Sequence, residues 1–255
     1  GGQHVLIKKF HPKKVLQEIS RHKITTFSLV PTMANSILNS PNLNTYDLSS
    51  VRQIMLGGSA SNPHLIQQLE KTFDCHCLSS YGLTETSPVL TLASQKSSLS
   101  LSEKERYHLQ SMSGFPIPGA EIKIVDHQDQ ELPWDGESVG ELVVQGDTIM
   151  AGYWNRSEET NQAFRNKWFH TGDMATINTD GYIQIVDRKK DIIISGGENI
   201  SSLEIENVLT SHPAILECAV IPVPDPLWGE TPTALVVLKD NCQASKKELF
   251  DHCRT

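Results

Sequence analysis

The sequence predicts an α/β protein in three pieces: a parallel-sheet portion over residues 1–107, a β-rich subdomain over 108–187 and part of a small α+β domain over 188–255. Three observations predict this. Helix-like and strand-like stretches alternate through the first piece, the pattern of a mostly parallel sheet. From Gly114 onward, short strands follow one another between Asp-Gly and Gly-rich turns. From "DRKKDIIISGGENIS" onward the order becomes strand, helix, strand, strand and a final helical stretch.

In chain order, "HPKKVLQEISRHK" reads as a helix carrying Val15, Leu16 and Ile19 on one side, followed by the strand "ITTFSLV". "TMANSILNS" is helical and "VRQIMLGG" is a buried strand. "SNPHLIQQLEKTF" starts a helix with Ser61 and Asn62 as cap candidates and Pro63 in the first turn. "CHCLSSYG" is the next strand, and "SQKSSLSLSEKERYHLQS" reads as a polar surface stretch. "AEIKIVD", "GELVVQG" and "GYIQIVD" are the strands of the β-rich piece. "SSLEIENVLTSH" is a helix leading to the strands "ILECAVIPVPD" and "ETPTALVVLKD", and "SKKELFDHCRT" is helical again.

The 255 residues can bury a large core, and 38% hydrophobic with 20% charged residues describes a globular chain. A net charge of −8 argues against a general nucleic-acid surface. No apolar run approaches the ~20 residues that span a bilayer. The five scattered cysteines suggest reduced thiols and a cytoplasmic setting. Cys75-His76-Cys77 is too tightly spaced for the usual zinc pairs, and no second pair answers it.

The familiar nucleotide signatures are missing. There is no G-x-x-x-x-G-K-[ST] and no G-x-G-x-x-G, and "GFPIPGAE" has two prolines and no lysine. Four unusual loops remain. "LGGSASNP" sets two glycines between a strand and a helix start, where a ligand can approach the backbone and the helix N-terminus. "YGLTETS" follows the next strand, so both loops are expected at the carboxyl end of one parallel sheet, where ligands of such sheets bind. "WFHTGD" supplies an aspartate after a glycine turn, and "DRKKDIIISGGEN" a basic cluster and a second glycine pair. Each also has a plain structural reading: tight turns at Gly57-Gly58, a capped helix start at Thr84-Glu85-Thr86, a turn seat at Asp173, a solvated basic face at Arg188-Lys189-Lys190.

"SSYGLTETSPVL", "GELVVQGDTIMAGYWNRSEET", "WFHTGDMATINTDGYIQIVDRKKDIIISGGENISSLEIE" and "DPLWGETPTALVVL" together resemble the adenylate-forming superfamily of acyl-CoA synthetases, luciferases and peptide-synthetase adenylation domains. The likeness runs from about Ile24 to Lys239 with the motifs in family order. It implies that the first two pieces are the C-terminal part of a large AMP-binding domain, and the third part of a mobile lid. The implied reaction joins a carboxylic acid to AMP from ATP, with Mg2+ present, and passes the acyl group to coenzyme A.

The resemblance also implies roles. Glu85 would hold Mg2+ and Thr84 would reach the α-phosphate region. Tyr81 would stack on adenine, facing a wall of Gly57, Gly58 and Ser59. Ser79, Ser80 and Leu83 would complete the nucleotide cradle, and Gly82 would leave room for the acyl carbonyl. Asp173 would accept from the ribose hydroxyls, Arg188 would contact ribose or phosphate, and Lys190 would be the hinge of lid rotation. Gly196, Gly197 and Glu198 would face the pantetheine arm of CoA. Val30, Pro31 and Met33 are candidates for the acyl pocket, although a Met in such a place is more often plain core.

The family's Ser/Thr/Gly-rich phosphate loop would lie upstream of Gly1 and its catalytic lysine beyond Thr255. Lys246 and Lys247 lack the family's Gly-Lys surroundings and are not assigned that role. The chain is therefore expected to be an internal fragment, nearly inactive in adenylation by itself. "GGENI" and "DPLWGE" resemble the CoA-ligase branches, and "LSLSEKERYHLQSMSGFPIPGAEIKIVD" resembles medium- and long-chain acyl-CoA synthetases. The competing readings are a ligase for an aryl or amino acid and a non-catalytic nucleotide-binding module. An apolar substrate could bring the protein to a membrane surface, but no segment demands it.

Overall fold

A computed structural model describes residues 2–254. The chain divides into two compact units. The first takes in residues up to Glu121, with Gln145–Thr160 and Asn178–Gln184; the second takes in Ile122–Val144, Asn161–Ile177 and Ile185 onward.

In the first unit, helix α1 (Pro12–His22), strand β1 (Thr26–Leu29), α2 (Pro31–Leu38), β2 (Gln53–Leu56), α3 (Pro63–Phe73) and β3 (His76–Tyr81) alternate as expected. β1, β2 and β3 are parallel neighbours. The sheet continues antiparallel through β4 (Thr91–Leu92), and, after α4 (Glu103–Ser111), through β5 (Phe115–Pro116). Its core joins Leu16 and Ile19 of α1, Ile37 of α2, Ile54 and Leu56 of β2, and Ile66, Leu69 and Phe73 of α3. Met33 packs against this same cluster, so its core reading holds. Of the two cap candidates at α3, Asn62 does the work, its side chain accepting from Leu65 N at 2.8 Å.

The expectation of a polar surface stretch before Gly114 needs correction. It contains α4, opened by a capping box in which Ser102 and Glu105 satisfy each other's backbone N–H groups. Tyr107, Leu109 and Gln110 are buried on one side. Gln110 Nε2 donates to the Cys77 carbonyl at 2.8 Å and to Glu70 Oε1 at 2.9 Å, and Arg106 pairs with Glu70 at 2.7 Å. A helix anchored through hydrogen-bonded polar groups leaves little apolar periodicity to read.

The chain continues through β6 (Ala120–Val125), β7 (Gly140–Gly146), α5 (Ser157–Ala163), β8 (Phe164–Arg165), β9 (Trp168–Ile177) and β10 (Ile183–Arg188). These strands form a second sheet in the order β10-β9-β7-β6, with β8 on β9. β11 (Ile193–Ser195), β12 (Glu198–Ile200), α6 (Ser202–Thr210), β13 (Ile215–Asp225), β14 (Gly229–Leu238) and α7 (Lys246–His252) complete the second unit. Here a sheet in the order β12-β11-β14-β13 carries a small core of Ile193, Leu209, Ile215 and Val220. α6 is held at its start by buried Asp187 of β10, whose Oδ2 accepts from Ser202 N at 2.7 Å and Ser202 Oγ at 2.8 Å. A carboxylate suits the positive end of a helix.

All five cysteines are free. Strand alternation turns His76 outward and Cys77 into the core. Burial pushes the Cys77 thiol far up, and burial, helped by Glu70 and Asp74, lifts Cys75 to about 12. Because the thiolate is the reactive form, alkylation near neutral pH should label exposed Cys242 and Cys253 in the native protein and reach Cys77 only on unfolding. Peptide mass spectrometry after iodoacetamide treatment checks this.

Candidate active site

β2 and β3 lie side by side in parallel, with Leu56 opposite Ser79, so the loops that follow them open at the same edge of the sheet. This places Gly57-Gly58-Ser59 beside Ser79-Ser80-Tyr81, as the sequence led us to expect. Gly57 fits because a Cβ there would come within 2.8 Å of Ser80 Oγ, which itself donates to the Leu56 carbonyl at 3.0 Å. Gly58 holds φ at +81°, a left-handed backbone that glycine adopts without strain. Ser59 is exposed, whereas Ser79 is buried and its hydroxyl has no partner among the described residues.

Beyond β3, Thr84–Thr86 forms one turn of 3-10 helix. Thr86 is fully buried and closes the loop: its Oγ1 accepts from Leu83 N at 2.9 Å and lies 3.0 and 3.2 Å from the carbonyls of Leu83 and Pro88. With the loop closed from inside, Thr84 is exposed and Glu85 half-buried. Glu85 is gripped by residues of the "GDTIMAGYW" segment: Met150 N donates to its carbonyl at 2.8 Å, and the Tyr153 hydroxyl to its Oε1 at 2.9 Å. Burial, then the Glu85 carboxylate, raises the Tyr153 hydroxyl above its ordinary range, so it stays a donor.

Gly82 has a structural explanation. A Cβ at this position would fall 1.9 Å from the Pro88 carbonyl oxygen and 2.9 Å from Leu90 N. The close approach of residue 82 to residues 88–90 alone requires glycine.

In the second unit, "TGD" is not a turn before an aspartate. Thr171, Gly172 and Asp173 lie within β9, whose pairing with β7 shifts register between Glu141 and Val143. Gly172, at φ +75°, absorbs the irregularity, as glycine does in bulges. Asp173 is buried and its N–H donates to Thr171 Oγ1 at 3.1 Å. Arg188 Nε lies 4.0 Å from Asp173 Oδ1, so two expected ribose-side residues are neighbours. Lys190 is exposed in the turn after β10. Gly196 and Gly197, at φ +60° and +88°, form the two-residue tip of the β11–β12 hairpin, with Ser195 paired to Glu198. Two positive φ values favour Gly-Gly at such a tip. Trp228 lies across it: a Cβ on Gly196 would meet the indole at 2.7 Å, and Gly196 N donates to the Trp228 carbonyl at 2.8 Å.

Sequence reasoning gave no role to Tyr153 or Trp228, and placed Thr86 only in the plain reading of a capped helix start, which the structure bears out. Sequence reasoning also missed a cluster around buried Glu141, with buried His170 and solvent-exposed Lys189. Glu141 of β7 lies 3.0 Å from Lys189 Nζ and 3.2 Å from His170 Nδ1. Burial opposes its charge, but Lys189 and His170 outweigh burial and hold the carboxyl below its usual range.

Among the described residues no group of three or more His, Cys, Asp or Glu is placed to hold a metal. Glu85 alone fits a different arrangement, in which Mg2+ takes one protein carboxylate and several substrate phosphate oxygens. Also among the described residues, no helix is long and apolar enough to cross a membrane.

Two family models match the chain: AMP-binding enzyme over residues 1–154 and AMP-binding enzyme C-terminal domain over 204–255. A peroxisomal trans-cinnamate:CoA ligase of Petunia hybrida is 35% identical over 100% of this chain and 45% of its own length. The medium/long-chain-fatty-acid–CoA ligase FadD8 of Mycobacterium tuberculosis is 37% identical over 94% of this chain and 41% of its own. Among solved structures, the amide bond synthetase McbA from Marinactinospora thermotolerans superposes with a TM-score of 0.85 at 32% identity, covering 97% of this chain and 48% of that one. The chain thus spans less than half the length of these relatives.

Proposed function

Since the chain belongs to the AMP-binding enzyme family, we propose that the protein carrying it is an ATP-dependent ligase that joins a carboxylic acid to coenzyme A through an acyl-adenylate. The observation that carries this reading is the pair of loops, Gly57–Ser59 and Tyr81–Glu85, at the carboxyl ends of two adjacent parallel strands. On the same reading, residues 1–107 and 108–187 belong to the AMP-binding domain and 188–255 begin the lid.

A free carboxylate is a poor electrophile, and joining it to AMP supplies a leaving group that the CoA thiol then displaces. The enzyme's task is to hold the acid in line with the α-phosphate and to meet the charge that develops on the phosphates. Mg2+, when bound, supplies charge neutralisation on those oxygens. In this reading Glu85 holds the metal and exposed Thr84 offers its hydroxyl to the α-phosphate. Tyr81 and Gly57-Gly58-Ser59 take the adenine, with Ser79, Ser80 and Leu83 framing it. Asp173 suits a vicinal diol because a carboxylate accepts twice, and Arg188 adds a permanent cation. Lys190 serves as the pivot of lid movement, a hinge in the ordinary sense. Gly196, Gly197 and Glu198 receive the pantetheine arm.

For the acid itself we favour a medium- or long-chain fatty acid, supported by the FadD8 relative and the likeness of residues 99–126. An aryl acid is the second reading, favoured by the cinnamate ligase. Pyrophosphate release from the whole protein, with ATP, Mg2+ and a panel of acids, with and without CoA, decides. Release driven by a fatty acid, with its thioester formed, supports the first reading; release driven only by aryl acids supports the second. No release with any acid from a folded protein would leave a nucleotide-binding module.

A further inference from the structure

We propose that Tyr153 is a positioning residue for the metal-holding carboxylate, fixing Glu85 so that one oxygen is committed to the protein and the other is left for a cation. The inference rests on the reading of Glu85 as the Mg2+ ligand and adds a second residue to it. It starts from the double grip on Glu85, by Met150 N on its carbonyl and by the Tyr153 hydroxyl on Oε1 at 2.9 Å.

The segment that supplies this grip is itself tied down. Tyr153 N donates to Thr160 Oγ1 at 2.9 Å, and Thr160 Oγ1 donates on to the Arg156 carbonyl at 2.7 Å. Gly152 allows the approach, since a Cβ there would lie 2.8 Å from the Thr160 methyl. The hydroxyl is therefore presented from an anchored backbone. A glutamate side chain left to itself loses rotamer freedom on binding a metal, and a side chain already held loses less. A hard cation resting on a single protein carboxylate gains most from such holding.

Tyr153 is 39% exposed, so Tyr153→Phe removes the hydroxyl without opening the core. Mn2+, followed by its paramagnetic signal, is titrated in the presence of ATP into the whole protein and into the Tyr153→Phe and Glu85→Gln variants. The expected result is binding weakened about tenfold in Tyr153→Phe, the size of one hydrogen bond to a charged group, and lost in Glu85→Gln. The half-saturating Mg2+ concentration for pyrophosphate release should rise by a similar factor. A lowered Tm in Tyr153→Phe with unchanged Mn2+ affinity would mean a packing role only and would overturn the inference. So would wild-type Mn2+ binding by Tyr153→Phe at unchanged Tm, although the metal reading stands if Glu85→Gln still loses the site. Wild-type Mn2+ binding by Glu85→Gln would overturn that reading and the inference with it.

Discussion

Glu85→Gln in the whole protein is expected to lower metal-dependent pyrophosphate release by about 10²–10³-fold, the scale seen when a preorganised electrostatic contact is removed. The substitution keeps the shape of the side chain and removes its charge. Its stability effect should be small, within about 0.5 kcal/mol, because the closure of the loop does not pass through it. That closure is made by Thr86, buried beneath Leu83 and Pro88, while Glu85 is held from outside by Tyr153. An amide oxygen can still accept from the tyrosine, more weakly than the carboxylate, so the fold loses little. Steady-state release at saturating ATP, beside a thermal melt, checks both halves. A loss of activity matched by a large fall in Tm would mean that Glu85 supports the loop, not the chemistry.

This separation between Thr86 and Glu85 shows what a sequence can and cannot reveal. "TET" carries two chemically similar threonines, and nothing in the string says which one is buried. β2 was legible as the short apolar run "QIML" ahead of two glycines, whereas β3, "HCLSSY", is half polar and was legible from its place after α3; their parallel pairing follows from the helix between them. The glycine pair Gly196-Gly197 stood out in the string as an unusual loop, but not as the tip of a hairpin, because the two strands it joins are only three residues each. By contrast, α4 buries Tyr107, Leu109 and Gln110, and Gln110 is anchored by hydrogen bonds. A periodicity reading sees only apolar side chains and passes over it. Asp173 was singled out in "WFHTGD", but its setting was not read: a left-handed glycine suggests a turn, and here it relieves a register shift inside a strand. The contacts of Glu85 with Tyr153 and of Glu141 with Lys189 join residues 68 and 48 positions apart. No local pattern encodes such pairs; only the topology brings them together.

Gly82 bears the second large expectation. The resemblance implies that this glycine leaves room for an acyl carbonyl, whereas the packing gives it a duty that needs no ligand. An alanine would set its Cβ 1.9 Å from the Pro88 oxygen, a backbone atom that cannot swing aside as a side chain would. Residues 81–90 would have to spread, straining the hydrogen bond from Leu90 N to the Tyr81 carbonyl at 2.9 Å. Gly82→Ala should therefore destabilise the unliganded protein by about 3 kcal/mol, the upper end of overpacking costs. For a chain of this size that corresponds to a Tm lowered by about 6–12 °C. The melt is to be recorded without ATP, acid or CoA. A large fall under those conditions makes the glycine a requirement of the loop that carries Glu85, and any loss of activity then follows from a displaced carboxylate. An unchanged Tm with slowed acyl transfer would return Gly82 to the substrate and show that the chain around residues 88–90 yields more easily than its contacts indicate.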